Sequence, residues 1–192
     1  MTGQSRRVSV LGVPTSAGSH NPGQEKAPAA WRAAGLIEDL LAAGLDVEDR
    51  GDRPAAPYRP VEPVDGLRDV DRVAEVAGRV ASEVAAIRAA GRLPLVLGGD
   101  CTITLGALAG FGDGGLVYFD VDVLHTGLFP LANFPHFAGL TLEEVSVCLA
   151  EFGRGEKFGG LVITEVNPDH DPDGRLVKAL AAAVATALAA AG

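Results

Sequence analysis

One segment, Leu93–Leu97, limits the possible folds more than any other, because all five of its residues, LPLVL, are apolar. Strands that read as unbroken apolar runs are buried on both faces, which is typical of parallel sheets covered by helices. A helix is predicted on either side of it, at Asp69–Ala90 and at Thr102–Phe111. The segment therefore predicts a central strand between two helix layers.

The same alternation of strands and helices continues along the chain. Further strands are predicted at Arg7–Val13, Leu45–Val47, Leu116–Phe119 and Leu161–Thr164. Further helices are predicted at Pro28–Ala43, Leu142–Phe152 and 174–191, and the first of them would place on its apolar side Trp31, Leu36, Leu40 and Leu41. Alternating elements are typical of α/β folds. We therefore predict a single domain over residues 1–192, a three-layer α/β/α sandwich with a mostly parallel sheet.

The charge balance excludes some classes of partner. The formal net charge is -9, and nucleic acids are bound by clustered Lys and Arg. Two cysteines give no disulfide framework. No apolar run reaches the ~20 residues that a membrane-spanning helix needs. We expect a cytoplasmic protein that contacts neither nucleic acid nor membrane.

Acidic residues follow three of the predicted strands. Asp100 comes shortly after LPLVL, Asp120 and Asp122 come after LVYF, and Glu165 comes after LVIT. Ligands of parallel α/β sheets bind beyond the carboxyl ends of the strands. The pattern therefore predicts a functional site where these ends meet.

The residue types leave several kinds of chemistry open. If the strand continued, the carboxylates of Asp120 and Asp122 would point to one side, where Mn or Mg would offset their repulsion; a simple turn after the strand is the alternative. Cys101 is a soft metal ligand, a nucleophile or a small buried residue. His125 and His136 are each either a ligand or polar surface.

Glu165 ends an apolar strand, where a carboxylate without a partner is costly. Its partner is predicted to be a cationic group of a substrate or an Arg or Lys of the protein. A phosphate loop at LGGDCT is disfavoured, because both glycine-rich phosphate-binding patterns are absent from the sequence.

Four segments, in chain order, resemble segments of the ureohydrolases, the family of arginase, agmatinase and formimidoylglutamase. The family's opening strand, loop and helix resemble LGVPTSAGSHNPGQEKAPAAWRAAGL. Its GGDH-S/T segment resembles LPLVLGGDCTITLGAL, and its late aspartate motif is similar to FDVDVL followed by GLTLEE. Its EVNP segment resembles TEVNPDHDPDG. The four matches cover nearly the whole chain and are specific in combination.

This resemblance implies an arginase-like fold with two Mn ions at the strand ends and hydrolysis of a C–N bond in a guanidino or amidino compound. Metal-bound water would supply the nucleophile. Asp120 and Asp122 are implied to be metal ligands, and Glu165 is implied to face the substrate guanidinium. Cys101 stands where the family has a ligand histidine, and His125, where many relatives have aspartate, is a further candidate ligand. Relatives form trimers or hexamers, so a homo-oligomer is expected.

The chain departs from the family at its centre. The DxHxD motif, which supplies two aspartates and a histidine as ligands, is absent from the sequence. One strand end, at Asp120, stands where full-length relatives have two similar ones. We therefore predict an internal deletion near residues 116–122 that shortened the domain.

Two functions follow from these observations. The first is a Mn-dependent ureohydrolase, a hydrolase of linear amidines, with weakened chemistry. The alternative is a catalytically inactive relative that acts as a binding or assembly partner. Convergence of Asp120, Asp122, Cys101 and His125 on one point would favour the first function, since a metal needs several donors with suitable geometry.

Overall fold

The computed structural model describes residues 5–190, and its five strands form one sheet. The strands are β1 Arg7–Gly12, β2 Asp46–Asp52, β3 Leu93–Leu97, β4 Gly115–Asp120 and β5 Phe158–Thr164. Their order is β2-β1-β3-β5-β4, and every neighbouring pair is parallel. The predicted parallel sheet is confirmed.

In the described part of the chain, six α-helices cover the two faces of the sheet. They are α1 Ala27–Ala33, α2 Leu36–Ala42, α3 Val70–Ala89, α4 Ile103–Phe111, α5 Leu142–Arg154 and α6 Arg175–Ala189. Apolar residues of α1, α2, α5 and α6 form one core cluster with the sheet, and those of α3 and α4 form a second. The α/β sandwich is therefore confirmed. Ala191, at the end of the predicted last helix, lies outside the described residues.

The predicted helix Pro28–Ala43 is in fact two helices. The chain breaks at Gly35, which has φ 89 in the left-handed region that only glycine adopts at low cost. Within α2, Leu41 points to solvent, with 53% of its surface exposed, while Leu36 and Leu40 are fully buried. The prediction that Leu41 lies on the apolar side is therefore wrong.

Strand β2 is longer than predicted because it is a polar strand at the edge of the sheet. Its sequence, DVEDRGD, lacks the apolar pattern from which strands are predicted. The nearly buried guanidinium of Arg92 holds it by donating to the Asp46 carboxylate at 3.1 Å, and it lies 3.4 Å from the carboxylate of Glu48. Charged side chains are a common protection of edge strands against pairing with another chain.

Among residues 5–190, none of the helices combines the length and the apolar character needed to cross a bilayer.

Candidate functional site

The strand order brings the acid-bearing carboxyl ends of β3, β5 and β4 to neighbouring positions. Two glycines after β3 make this close approach possible. A Cβ on Gly99 would lie 2.3 Å from the carbonyl oxygen of Thr15, and one on Gly98 would lie 2.9 Å from that of Ile163. Any side chain at these positions would push the backbones apart.

Asp100 links the turn after β3 to the loop after β1. Its carboxylate is buried, and it accepts hydrogen bonds from the backbone N–H of Gly18 and of Thr102, both at 3.0 Å, and from the Thr102 hydroxyl. Burial raises the pKa of Asp100 above its ordinary value, and the hydrogen bonds oppose that shift. This carboxylate therefore fixes the geometry of the loops around the site.

Glu165 is held by two neutral donors. One carboxylate oxygen accepts from the backbone N–H of Cys101 at 2.7 Å, and the other accepts from Nε2 of Gln24 at 2.9 Å. Burial raises the pKa of Glu165. Its φ of 66 lies in the left-handed region, which is uncommon for residues other than glycine. None of the described Arg or Lys side chains forms an ion pair with it, which leaves its predicted substrate-binding role open.

Asp120 is the last residue of β4, one residue beyond the predicted strand end at Phe119, and the strand does not continue to Asp122. The chain turns at Val121–Val123, because the Asp120 carboxylate accepts the backbone N–H of Asp122 at 2.9 Å and so caps the turn. The other carboxylate oxygen accepts the Tyr118 hydroxyl at 2.5 Å. Both readings of this motif thus apply in part: it forms a turn, and it holds two acids close together.

Asp122 is the least satisfied acid of the site. Its Oδ1 is buried and has no hydrogen-bond partner. Burial, and then the charges of Asp120 and Glu165, raise its pKa to about 7. Asp120 and Asp122 line a cavity of about 490 Å³, whose other walls include His136. Glu165 is not part of that lining.

The Cys101 thiol is protonated, and one of the two ring nitrogens of His125 already has a hydrogen-bond partner. Partial burial and the charges of Glu165 and Asp100 raise the pKa of the Cys101 thiol to about 12, although the residue as a whole is exposed. The His125 ring accepts the backbone N–H of Gly127 at its Nδ1, at 3.0 Å. The thiolate is the form of cysteine that binds metals, so a metal ion at Cys101 would have to displace its proton.

The two manganese ions implied by the resemblance do not fit these donors. Within residues 5–190, no group of three or more His, Cys, Asp or Glu side chains is placed so that it could hold a metal ion. The structure brings Asp120 and Asp122 to one cavity, but it does not assemble them with Cys101 and His125 into a ligand set. The metal-binding role of these four residues stays a prediction.

Gln24 and Tyr118 contact acids of the site but were not among the residues predicted from the sequence. Tyr118 precedes Asp120 by two residues on β4, a spacing that places both side chains on one face of a strand and could have revealed it. Gln24 comes from the loop after β1, and no local pattern links it to a glutamate 141 positions later.

We expect Cys101 to react slowly with alkylating agents despite its exposure. At pH 8 a thiol with a pKa of about 12 is almost entirely protonated, and the thiolate is the reactive form. In a Cys148→Ser variant, where Cys101 is the remaining cysteine, we expect iodoacetamide to react at least about tenfold more slowly than with N-acetylcysteine. Mass spectrometry over time measures the rate. A rate equal to that of the free thiol would contradict the prediction.

This chain is similar to known arginases both in sequence and in fold. The Arginase family model matches residues 6–115 and 112–190. Human Arginase-1 is 33% identical over 124 residues, which are 62% of this chain and 38% of that protein. The arginase of Bacillus caldovelox is 41% identical over 105 residues, or 54% and 35% of the two proteins. The match therefore spans little more than a third of these relatives.

Solved structures share the fold over nearly the whole chain. The arginase of Bacillus caldovelox superposes with a TM-score of 0.85 at 20% identity, over 95% of this chain and 98% of that one. The agmatine ureohydrolase of Thermoplasma volcanium has a TM-score of 0.75 at 18% identity, over 97% and 90%. At these identities the structures establish the fold, and the family model adds the sequence evidence over nearly every described residue. The chain belongs to the arginase family.

Proposed function

We propose that this chain binds a small guanidino or amidino compound at the carboxyl ends of β3, β4 and β5, and that its hydrolase activity is weak or lost. One observation carries the proposal. Four carboxylates, those of Asp100, Asp120, Asp122 and Glu165, lie at these strand ends, and no ion pair joins any of them to a described Arg or Lys. A cationic ligand would offset this charge.

The cavity lined by Asp120 and Asp122 suits a planar cation with several N–H donors. Oδ1 of Asp122 is a buried acceptor without a donor, and Asp120 lines the same cavity. A guanidinium donates to carboxylates through charge-assisted and often bidentate hydrogen bonds. The relative from Thermoplasma volcanium is an agmatine ureohydrolase, which makes agmatine the first compound to test.

Loss of a central family segment would explain weak hydrolysis. The family model matches in two segments that overlap at residues 112–115, at the start of β4 and close to the predicted deletion at 116–122. The superposition spans 98% of the chain of the Bacillus caldovelox arginase, although this chain has 192 residues and lacks the DxHxD motif. These findings support the predicted internal gap.

Metal-dependent hydrolysis is the second candidate, and the unpartnered Oδ1 of Asp122 is the observation in its favour. Mn and Mg prefer oxygen ligands, and a buried carboxylate oxygen is a suitable one. The family relationship would then extend to activity. The scattered positions of the other predicted donors weigh against it.

Ligand binding is tested by thermal unfolding with agmatine, and with 1,4-diaminobutane as the control that has amines but no guanidinium. At tenfold excess over its Kd, agmatine is expected to raise Tm by about 3–6 °C, because a bound ligand stabilises by RT ln(1 + [L]/Kd). The diamine is expected to give a much smaller shift. Equal shifts, or none with either compound, would contradict the proposal.

An Asp122→Asn variant separates binding at the site from binding elsewhere. It is expected to lose the agmatine shift, while Asp113→Asn, at an exposed aspartate before β4, keeps it. Urea release by the unchanged protein, with and without added Mn, is measured in parallel. Mn-dependent turnover at a rate typical of enzymes, about 1–1000 per second, would replace the binding proposal with the second candidate.

A further inference from the structure

The two edge strands of the sheet differ in their protection. Edge strands expose backbone N–H and C=O groups that can pair with another chain. Strand β2, at one edge, carries five charged residues, whereas β4, at the other edge, is GLVYFD with a charge only at its last position. Within residues 5–190, no strand pairs with the outer edge of β4. That edge is therefore open and nearly uncharged.

Helix α4 adds apolar surface next to this edge. Gly106 and Gly110 face α3, because a Cβ on them would lie 2.2 Å from the carbonyl oxygen of Ala77 and 2.1 Å from that of Ala81. Leu108 lies two residues from each glycine and so projects from the opposite side of α4. Helix α3 packs on β3, further into the sheet, while α4 contacts β4. Leu108 therefore projects toward the open edge, and it is 58% exposed.

Two side chains of β4 extend this surface onto the sheet. Leu116 packs against the core cluster of α3 and α4, and Tyr118, two residues later, lies on the same face. Tyr118 is 42% exposed. We call Leu108, Leu116 and Tyr118, together with the outer edge of β4, the β4-edge strip.

We propose that the β4-edge strip binds a second copy of this chain, with the two β4 strands paired antiparallel about a two-fold axis. Two-fold interfaces need a surface that complements itself, and an open strand edge does so because each strand offers the same donors and acceptors. The pairing makes one ten-stranded sheet and places α4 of one copy beside α4 of the other. Leu108 then loses contact with water.

Charge favours this strip over the rest of the surface. The chain carries a net charge of -9, so two copies repel each other at most orientations. The three side chains of the strip are uncharged. Two copies can meet there without bringing like charges directly opposite each other, which is unfavourable in paired strands.

The available area is sufficient for a specific dimer. Six residues at ~3.3 Å each make β4 about 20 Å long, and the sheet with a helix layer about 10 Å thick on each face is about 25 Å high. This side of the molecule thus presents about 500 Å² per copy, and about 1,000 Å² in total is the size that a biological interface needs.

Sedimentation velocity over a range of concentrations tests the proposal. The unchanged protein is expected to reach a mass of twice 19.6 kDa. Leu108→Lys places a charge in the strip and is expected to sediment as a monomer at the same concentrations. The matched control is Leu41→Lys on α2, which is 53% exposed and lies on the far side of the sheet, and it is expected to remain dimeric.

Two results would overturn the proposal: a monomer for the unchanged protein at all concentrations, or an assembly that Leu108→Lys leaves intact. Circular dichroism checks that each variant is folded, and Tyr118→Lys replaces Leu108→Lys if the latter unfolds. Hydrogen exchange of the unchanged protein gives an independent measurement. Amides of β4 are expected to gain protection as concentration rises, and no such gain would equally overturn the proposal.

Discussion

Replacing Gly106 with alanine is expected to destabilise the protein by about 2 kcal/mol, because α3 and α4 pack too closely there for a methyl group. The new Cβ would lie 2.2 Å from the carbonyl oxygen of Ala77 and 2.8 Å from Cβ of Val80. The first contact is with backbone, so one helix has to shift as a whole. Overpacking of this kind typically costs about 1–3 kcal/mol. Urea unfolding followed by circular dichroism measures the loss.

Gly78→Ala is the matched control for this prediction. Gly78 lies within α3, and a Cβ added there meets no atom within 4 Å. The substitution is therefore expected to stabilise the protein by up to about 1 kcal/mol, because alanine has the higher helix propensity. If both variants are stabilised, the contact between the two helices is looser than the structure shows.

Asp122→Asn is expected to stabilise the protein at pH 8 and to have little effect near pH 4. The pKa of this carboxyl rises from 3.8 to about 7 on folding, because burial and the charges of Asp120 and Glu165 disfavour its ionised form. Between these two pH values the folded state binds more protons than the unfolded state. The free energy of unfolding therefore falls as pH rises from about 4 to about 7, and above pH 7 the penalty is fully present.

The expected gain at pH 8 is about 1–2 kcal/mol. A shift of this size at a fully buried group would correspond to about 4 kcal/mol, and solvent screening reduces it because Asp122 is only half-buried. Urea unfolding at both pH values measures the difference between the variant and the unchanged protein. Asp113→Asn, at an exposed position, serves as the control. An Asp122→Asn variant that is less stable at pH 8 than at pH 4, relative to the unchanged protein, would contradict the prediction.

Local patterns in the sequence are sufficient to predict the layer architecture. Strand β3 was predicted with its observed bounds, because an unbroken apolar run of five residues admits few environments other than the interior of a parallel sheet. Helix α3 was predicted to within one residue at each end, since its apolar spacing extends over five turns. The acids at the strand ends followed from the same pattern, because parallel strands end at one edge of the sheet.

Which of those acids have hydrogen-bond donors, and which residues lie beside them, depends on the tertiary structure. Asp100 and Glu165 receive their donors from residues as distant as Gly18 and Gln24, which no local pattern connects to them. Asp122 lies beyond the end of β4, because the Asp120 carboxylate caps a turn there. The open edge of β4 likewise depends on strand order, and strand order is fixed by packing between elements far apart in the chain. Local sequence determines which elements form, whereas long-range contacts determine their neighbours, and the candidate site consists of such contacts.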